Sequence, residues 1–285
     1  MSSVLLSAAE LNTLMHKEPI VVIDARNPAA YADGHIPGAV NIHDIFTFLA
    51  TSTPEGLKAL NTQFAETFGN SGLSGKETAV IYEDAMNTGF GMSCRGYFLL
   101  SYMGYPKIKI LHGGYQAWLA ESLPITADVV RPEPATFTLS DTGTDFMIGK
   151  DEVLAALGND EIVLLDVRDI DEWIATSSSP YGKDFCPRKG RLPGARWIEW
   201  YRLMKPGAVP LFKAPEEILA ECDTVGIRKD TPVYLYCFKG ARASNTFVAL
   251  KSAGIENVKL YFGSWNEWSR DPSLPIEEGL PYASI

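Results

Sequence analysis

The stretch VYLYCFKGARASNT, residues 233–246, contains the pattern from which the fold can be predicted. Its first four residues, Val233–Tyr236, are β-branched and aromatic, which predicts a buried strand. Residues 241–253 have a helical pattern that ends before a glycine. Cys237 therefore lies between the carboxyl end of a strand and the N-terminus of a helix. In open α/β sheets this is the position at which ligands bind.

The loop that follows Cys237 has the composition of an anion-binding turn. Gly240 allows the backbone to turn sharply, and Lys239 and Arg242 bring positive charge. A helix N-terminus and nearby basic side chains favour the thiolate form of cysteine, which is the nucleophile. A free cysteine is more often a buried structural thiol, but that alternative does not account for the basic loop. The candidate substrate-binding residues are Phe238, Lys239, Gly240, Ala241 and Arg242.

Composition excludes several classes of function. The chain has 285 residues, of which 46% are hydrophobic, and its 35 acidic and 25 basic residues give a formal charge of -10. This balance opposes binding to nucleic acid or to an anionic membrane. There is no apolar run of membrane-spanning length, so we expect a cytoplasmic protein. The four cysteines are scattered without a CxxC pair, which predicts neither a zinc site nor a disulfide framework.

The chain contains an internal repeat. The first copy contains VVIDAR (21–26), GHIPGAVNI (34–42), AVIYED (79–84) and ILHGGYQAW (110–118). The second copy contains VLLDVR (163–168), GRLPGARWI (190–198), VYLYC (233–237) and LYFGSWNEW (260–268). Because the order is the same, we expect a duplicated domain. The predicted boundaries are an N-terminal domain over residues 1–126, a linker over residues 127–145 and a C-terminal domain over residues 146–285.

Within each copy, short apolar strands alternate with amphipathic segments. This alternation predicts an α/β fold, with a mostly parallel sheet flanked by helices in each domain. The predicted helices cover residues 8–16, 88–102, 113–121, 150–157, 215–222, 241–253 and 264–270.

The repeated motifs, taken in this order, resemble the tandem rhodanese-domain sulfurtransferases, the family of thiosulfate and 3-mercaptopyruvate sulfurtransferases. The resemblance covers roughly residues 21–281. It implies that both halves share one α/β fold, that the second half carries the nucleophile and that the first half is catalytically silent. Glu83 stands in the first half where Cys237 stands in the second, which agrees with this asymmetry.

The resemblance also implies a reaction. Cys237 would take the sulfane sulfur from thiosulfate as a persulfide and pass it to a thiophilic acceptor such as cyanide or a thiol, without metal or organic cofactor. Lys239 and Arg242 would hold the leaving sulfite. The expected partners are thus a small anionic sulfur donor and a thiophilic acceptor, with a protein acceptor as a further case, and neither nucleic acid nor membrane.

The donor and the class of protein both have alternatives. Lys239, two positions after the cysteine, favours thiosulfate over 3-mercaptopyruvate, whereas Arg242 at the sixth loop position resembles single-domain rhodaneses, so the donor stays open. A persulfide carrier or regulatory module that a protein partner loads is a second interpretation. A phosphatase is a third, but its loop resembles Cys-x5-Arg, and here only four residues separate Cys237 from Arg242.

Three further residues are candidates for supporting roles. Asp166 and Arg168 end a predicted strand beside the cysteine loop, where Arg168 could add positive potential and Asp166 could orient the loop. The same pair recurs in the first copy, so a purely structural ion pair is an equal alternative. Trp200 is a candidate wall of the pocket, and the role of Cys186 stays open.

Overall fold

The computed structural model describes residues 4–140, 145–182 and 185–281, and these residues divide into two units. The first unit contains residues 4–48, 58–140 and 204–212. The second unit contains residues 49–57, 145–182, 185–203 and 213–281.

The first unit has a five-stranded sheet among its described residues, in the order β1-β5-β4-β2-β3. Its strands are β1 (Leu5–Leu6), β2 (Ile20–Asp24), β3 (Val40–Asn41), β4 (Thr78–Tyr82) and β5 (Ile108–Leu111). Its helices are α1 (Ala8–Leu14), α2 (Pro28–Asp33), α3 (Asp44–Thr47), most of α4 (Pro54–Asn70), α5 (Met92–Tyr102) and α6 (Gly114–Ala120). The strand pairs are parallel, and all five residues of β4 are buried, as expected for a sheet that helices cover.

The second unit repeats this topology, with the order β6-β12-β11-β7-β8 in its described part. The strands are β6 (Met147–Ile148), β7 (Val163–Asp166), β8 (Arg196–Trp197), β11 (Val233–Tyr236) and β12 (Val258–Tyr261). The helices are α7 (Lys150–Ala156), α8 (Ile170–Trp173), α9 (Pro215–Asp223), α10 (Ala241–Ser252) and α11 (Ser264–Trp268), with a 3-10 turn at Trp200–Leu203. An antiparallel hairpin of β9 (Met204–Lys205) and β10 (Leu211–Phe212) belongs to the first unit. The predicted fold class, two α/β domains with parallel sheets, is confirmed.

The repeat extends to the packing of the last motif in each half. Trp118 and Trp268 are both buried in the apolar core of their unit. The indole N–H of Trp118 donates to the carbonyl of Pro124 at 2.8 Å, and that of Trp268 donates to Pro275 at 2.9 Å. The closing motifs GGYQAW (113–118) and GSWNEW (263–268) therefore make the same buried tryptophan contact.

The helices differ from the prediction in two respects. The predicted helix 88–102 begins only at Met92, because Phe90 and Gly91 have φ angles of 54° and 79°, which a right-handed helix does not contain. Four helices were not predicted from the sequence, namely α2, α3, α4 and α8. The 17-residue α4 carries a detectable signal, since buried Leu60, Phe64 and Phe68 recur every four residues.

Residues 127–140 of the predicted linker form neither helix nor strand, and residues 141–144 lie outside the described residues. Among the helices in the described part of the chain, none combines the length and the apolar character needed to span a membrane.

Candidate active site around Cys237

The candidate site lies where β11 and β7 end side by side. Tyr236 is in register with Asp166, and its hydroxyl donates to the Asp166 carboxylate at 2.6 Å. Cys237 follows Tyr236 directly, and α10 begins four residues later at Ala241. Because the end of β11 is fixed to β7, the position of Cys237 is set by the sheet.

The first turn of α11 holds the backbone of the cysteine loop. The N–H groups of Trp265 and Asn266 donate to the carbonyls of Cys237 and Phe238 at 3.0 and 2.9 Å. The N–H of Cys237 donates to the hydroxyl oxygen of Ser264 at 3.2 Å. The loop is therefore fixed at three backbone atoms, which pre-organises the sulfur before a substrate binds.

The sulfur of Cys237 accepts a hydrogen bond from the backbone of its own loop. Cys237 is 1% exposed, and the N–H of Gly240 donates to its Sγ at 3.1 Å. Gly240 caps the 12-residue helix α10 with a φ of 89°, and a Cβ there would lie 2.9 Å from the ring of Phe262, so only glycine fits this turn. An N–H directed at sulfur and the positive end of the helix dipole both favour negative charge on that sulfur.

Arg242 is neutralised by two carboxylates that the sequence analysis did not identify. Its guanidinium binds Glu172 through two hydrogen bonds of 2.6 and 3.1 Å and lies 3.1 Å from Asp169. Burial by itself lowers the pKa of Arg242, but the charges of Glu172, Cys237 and Asp169 raise it, so the guanidinium stays protonated. Both carboxylates follow β7 within six residues, at the carboxyl edge of the sheet. That placement was the available signal.

Lys239 and Phe238 contact an insertion between β7 and β8 that the first half lacks. The ammonium of Lys239 lies 5.0 Å from the ring centre of Tyr181, in a cation–π arrangement. The ring of Phe238 packs edge-on against Tyr181 and Phe185, with centroid distances of 5.3 and 5.9 Å. Phe238 is buried, whereas Tyr181 and Phe185 are about half exposed, so these two aromatic residues border the active loop at the surface.

Asp166 and Arg168 form a fully buried ion pair of 2.6 Å. Arg168 also donates to the carbonyl of Gly190 at 2.7 Å. In the first half Arg26 repeats both contacts, to Asp24 at 2.6 Å and to Gly34 at 2.8 Å. The pair therefore has the same geometry in both halves, and Asp166 reaches the cysteine loop through Tyr236.

Trp200 contacts Asp169, one of the two carboxylates beside Arg242. It is 2% exposed, and its indole N–H donates to the Asp169 carboxylate at 3.2 Å. The neighbouring Tyr201 packs edge-on against it and is about half exposed. Trp200 thus donates to a carboxylate that lies 3.1 Å from the Arg242 guanidinium.

The other cysteines differ from Cys237 in their surroundings. Burial raises the pKa of Cys222 to about 12 and also raises the pKa values of Cys94 and Cys186. Cys94 lies in the first turn of α5, Cys186 in the insertion and Cys222 near the end of α9. These three groups are therefore thiols rather than thiolates at neutral pH.

The first half has the same scaffold with a carboxyl group in place of the sulfur. Glu83 follows β4 as Cys237 follows β11, and the N–H groups of Tyr115 and Gln116 donate to the carbonyls of Glu83 and Asp84. Glu83 is fully buried, and burial raises its pKa to about 8. Its carboxyl oxygen accepts a long hydrogen bond of 3.4 Å from the N–H of Ser93, in the first turn of α5. This half therefore presents a buried, uncharged acid where the other presents sulfur.

Comparisons with known proteins place the chain in a family. The rhodanese-like domain matches residues 7–121 and again residues 149–271. A thiosulfate sulfurtransferase of Azotobacter vinelandii is 29% identical over 94% of this chain and 95% of its own length. The sulfur carrier protein TtuD of Thermus thermophilus is 29% identical over 87% of each chain. The anaerobic ergothioneine biosynthesis enzyme of Chlorobium limicola, solved with trimethyl histidine, superimposes with a TM-score of 0.84 at 26% identity, over 98% of this chain and 71% of that one. The chain therefore belongs to the rhodanese family and is a sulfurtransferase with two rhodanese-like domains.

Proposed function

We propose that this sulfurtransferase takes a sulfane sulfur from thiosulfate and passes it to a thiophilic acceptor through a persulfide on Cys237. The observation that carries the proposal is the 3.1 Å hydrogen bond from the Gly240 N–H to the buried Sγ at the N-terminus of α10. The relative from Azotobacter, named a thiosulfate sulfurtransferase, supports thiosulfate as the donor. Location in the cytoplasm stays a prediction from the sequence.

The first half-reaction forms the persulfide. The Cys237 thiolate attacks the outer sulfur of thiosulfate, a new sulfur–sulfur bond forms, and the bond to the sulfonate sulfur breaks. Sulfite leaves with the electron pair of that bond. The N–H groups of the active loop, Gly240 among them, stabilise the negative charge that remains on the persulfide, as backbone donors do in an oxyanion hole.

The second half-reaction returns the enzyme to its thiolate form. Cyanide or the thiolate of an acceptor attacks the outer sulfur of the persulfide, and Cys237 leaves with its electron pair. One nucleophile thus serves two displacements, which is ping-pong catalysis. The carboxyl group of Glu83 cannot form a persulfide, so we expect the first domain to be catalytically silent.

The active loop also fits a persulfide carrier that a protein partner loads. The observation that favours this role is the likeness to a Thermus protein named as a sulfur carrier. The two roles share the persulfide on Cys237 and differ in whether a small donor can load it.

The decisive experiment is the intact mass of the purified protein before and after incubation with thiosulfate. We expect a gain of roughly 32 mass units, one sulfur atom, that disappears when cyanide is added. Cys237→Ser should show no gain, whereas Cys186→Ser, the matched control in the neighbouring insertion, should load like the parent. Loading by 3-mercaptopyruvate alone would reassign the donor. No loading by either donor would leave the carrier role.

A further inference from the structure

The charge of Arg242 is fully compensated inside the protein. Its side chain and that of Glu172 are 4% and 2% exposed, and both guanidinium contacts to Glu172 are hydrogen bonds. Asp169, whose side chain is 35% exposed, adds a second carboxylate at 3.1 Å. A buried guanidinium between two carboxylates contributes no net positive charge to its surroundings.

The location of this cluster makes it relevant to the donor. Arg242 is the second residue of α10, two positions after Gly240, which donates to the sulfur. The thiolate of Cys237 is close enough to help raise the pKa of Arg242. A donor that reaches the sulfur therefore enters the field of the Arg242 cluster, and in a buried site that field is weakly screened.

The two carboxylates come from one short segment, with Asp169 as the N-cap of α8 and Glu172 in its first turn. Glu172 uses both of its oxygens on Arg242, and Asp169 is held in place by the indole N–H of Trp200. In the first half, Ser93 occupies the second position of the corresponding helix α5, so the first domain has this fold without the cation at that position.

We propose that Glu172, assisted by Asp169, is a specificity-determining residue that limits the negative charge of the sulfur donor. By neutralising Arg242, Glu172 prevents the guanidinium charge from adding to the attraction of an anionic donor. An uncompensated Arg242 would attract a dianionic donor more strongly than a monoanionic one, and Glu172 reduces this difference. Removing the Glu172 charge releases the positive charge of Arg242 and shifts the preference towards dianions. This inference rests on the proposed function in one respect, that donors bind at this loop.

The test measures anion binding without turnover. Sulfate, a dianion, and methanesulfonate, a monoanion, compete with alkylation of Cys237 by iodoacetamide, followed on the Cys237 peptide by mass spectrometry. In Glu172→Gln we expect the sulfate concentration for half-protection to fall about tenfold and that for methanesulfonate to change less than about twofold. Asp169→Asn should shift the same ratio by a smaller factor. Glu256→Gln, which removes a carboxylate paired with Lys251 on the surface of the same unit, should leave the ratio unchanged.

A bracing role alone would give a different pattern. If Glu172 only stiffens the loop, protection by both anions changes by the same factor in both variants, and the inference is wrong. If Glu172→Gln fails to fold, the ratio in Asp169→Asn decides. If the ratio of the half-protection concentrations for sulfate and methanesulfonate changes but the parent protein takes up no sulfur, the charge inference is supported and the proposed function is wrong. If the parent protein takes up sulfur but this ratio does not change, the proposed function is supported and the charge inference is wrong.

Discussion

Ser264 and Gly114 occupy the same position in the two repeats, and both have left-handed backbone conformations, with φ angles of 53° and 64°. A serine in this conformation is strained, by about 1–3 kcal/mol. The Ser264 hydroxyl accepts from the N–H of Cys237 and donates to the carbonyl of Tyr261 at 2.7 Å. The strain is therefore associated with a contact to the candidate nucleophile that glycine cannot make.

Substitutions at Ser264 and Gly114 should separate an effect on sulfur loading from an effect on stability. We expect Ser264→Gly to change the free energy of unfolding by less than about 1 kcal/mol, because relief of strain offsets the lost hydrogen bonds, and to slow sulfur loading. Gly114→Ala should destabilise the first domain by roughly 2 kcal/mol or more, because its Cβ would lie 2.5 Å from the Glu83 carbonyl. Urea unfolding and the rate of mass gain with thiosulfate measure the two effects. Unchanged loading by Ser264→Gly would show that the hydroxyl does not position Cys237.

The buried pair of Asp166 and Arg168 should be a stability element. Asp166→Asn leaves an uncompensated buried guanidinium, so we expect a loss of about 3–5 kcal/mol in the free energy of unfolding. Asp24→Asn is the matched control for the first domain, since Asp24 and Arg26 have the same geometry. Combining Asp166→Asn with Arg168→Met should recover part of the loss. A cost below about 1 kcal/mol for Asp166→Asn would mean that Arg168 is solvated after all.

The sequence predicted features that depend on neighbouring residues. The strand before Cys237, the turn at Gly240 and the start of α10 at Ala241 are all local, and the structure has them where the pattern indicated. The ion pair of Asp166 and Arg168, two residues apart, was visible for the same reason.

The sequence did not predict contacts between distant segments. Glu172 binds Arg242 across 70 residues, and the partners of Phe238 lie in an insertion without a repeat counterpart. An acidic residue after a strand is common, so its partner could be chosen only once the sheet had placed β7 beside β11. The charge balance of the site therefore could not be predicted from the sequence, whereas its candidate nucleophile could.

Glu83 should make the first domain less stable as the pH rises. Burial raises its pKa from 4.5 to about 8 in the folded protein, so between these values the folded state retains a proton that the unfolded chain releases. Stability then falls with rising pH, by at most about 1.4 kcal/mol per pH unit. Glu83→Gln should remove this slope in urea unfolding between about pH 6.5 and pH 8, above the range of His112, whereas Glu121→Gln, at an exposed position, should keep it. An identical slope in Glu83→Gln would place the pH dependence elsewhere.

His112 should give the opposite dependence at lower pH. Its Nε2 accepts the N–H of Phe212 at 2.9 Å, and burial lowers its pKa from 6.5 to about 4. Between these values the unfolded chain binds a proton that the folded protein excludes, so stability falls as the pH drops from about 6.5 to 4. In a Glu83→Gln background, which lacks the opposing slope of Glu83, His112→Gln should flatten this part of the profile, and His16→Gln, at an exposed position, should not. Retention of the full slope in His112→Gln would contradict the assignment.

Lys239 should determine how strongly the donor binds. Its ammonium lies over the ring of Tyr181. Lys239→Ala should raise the KM for thiosulfate about tenfold and that for 3-mercaptopyruvate by a smaller factor, because thiosulfate is a dianion and loses more attraction. Lys239→Arg should restore most of the affinity. Lys251→Ala removes a cation of α10, the helix that follows the loop, where it pairs with Glu256 on the surface, so it controls for net charge. The measurement is steady-state kinetics with both donors. An equal rise in KM for both donors would show that Lys239 acts on the thiolate. A KM for thiosulfate that depends more strongly on salt in Lys239→Ala would contradict a direct contact with the donor, because the loss of an ion pair weakens that dependence.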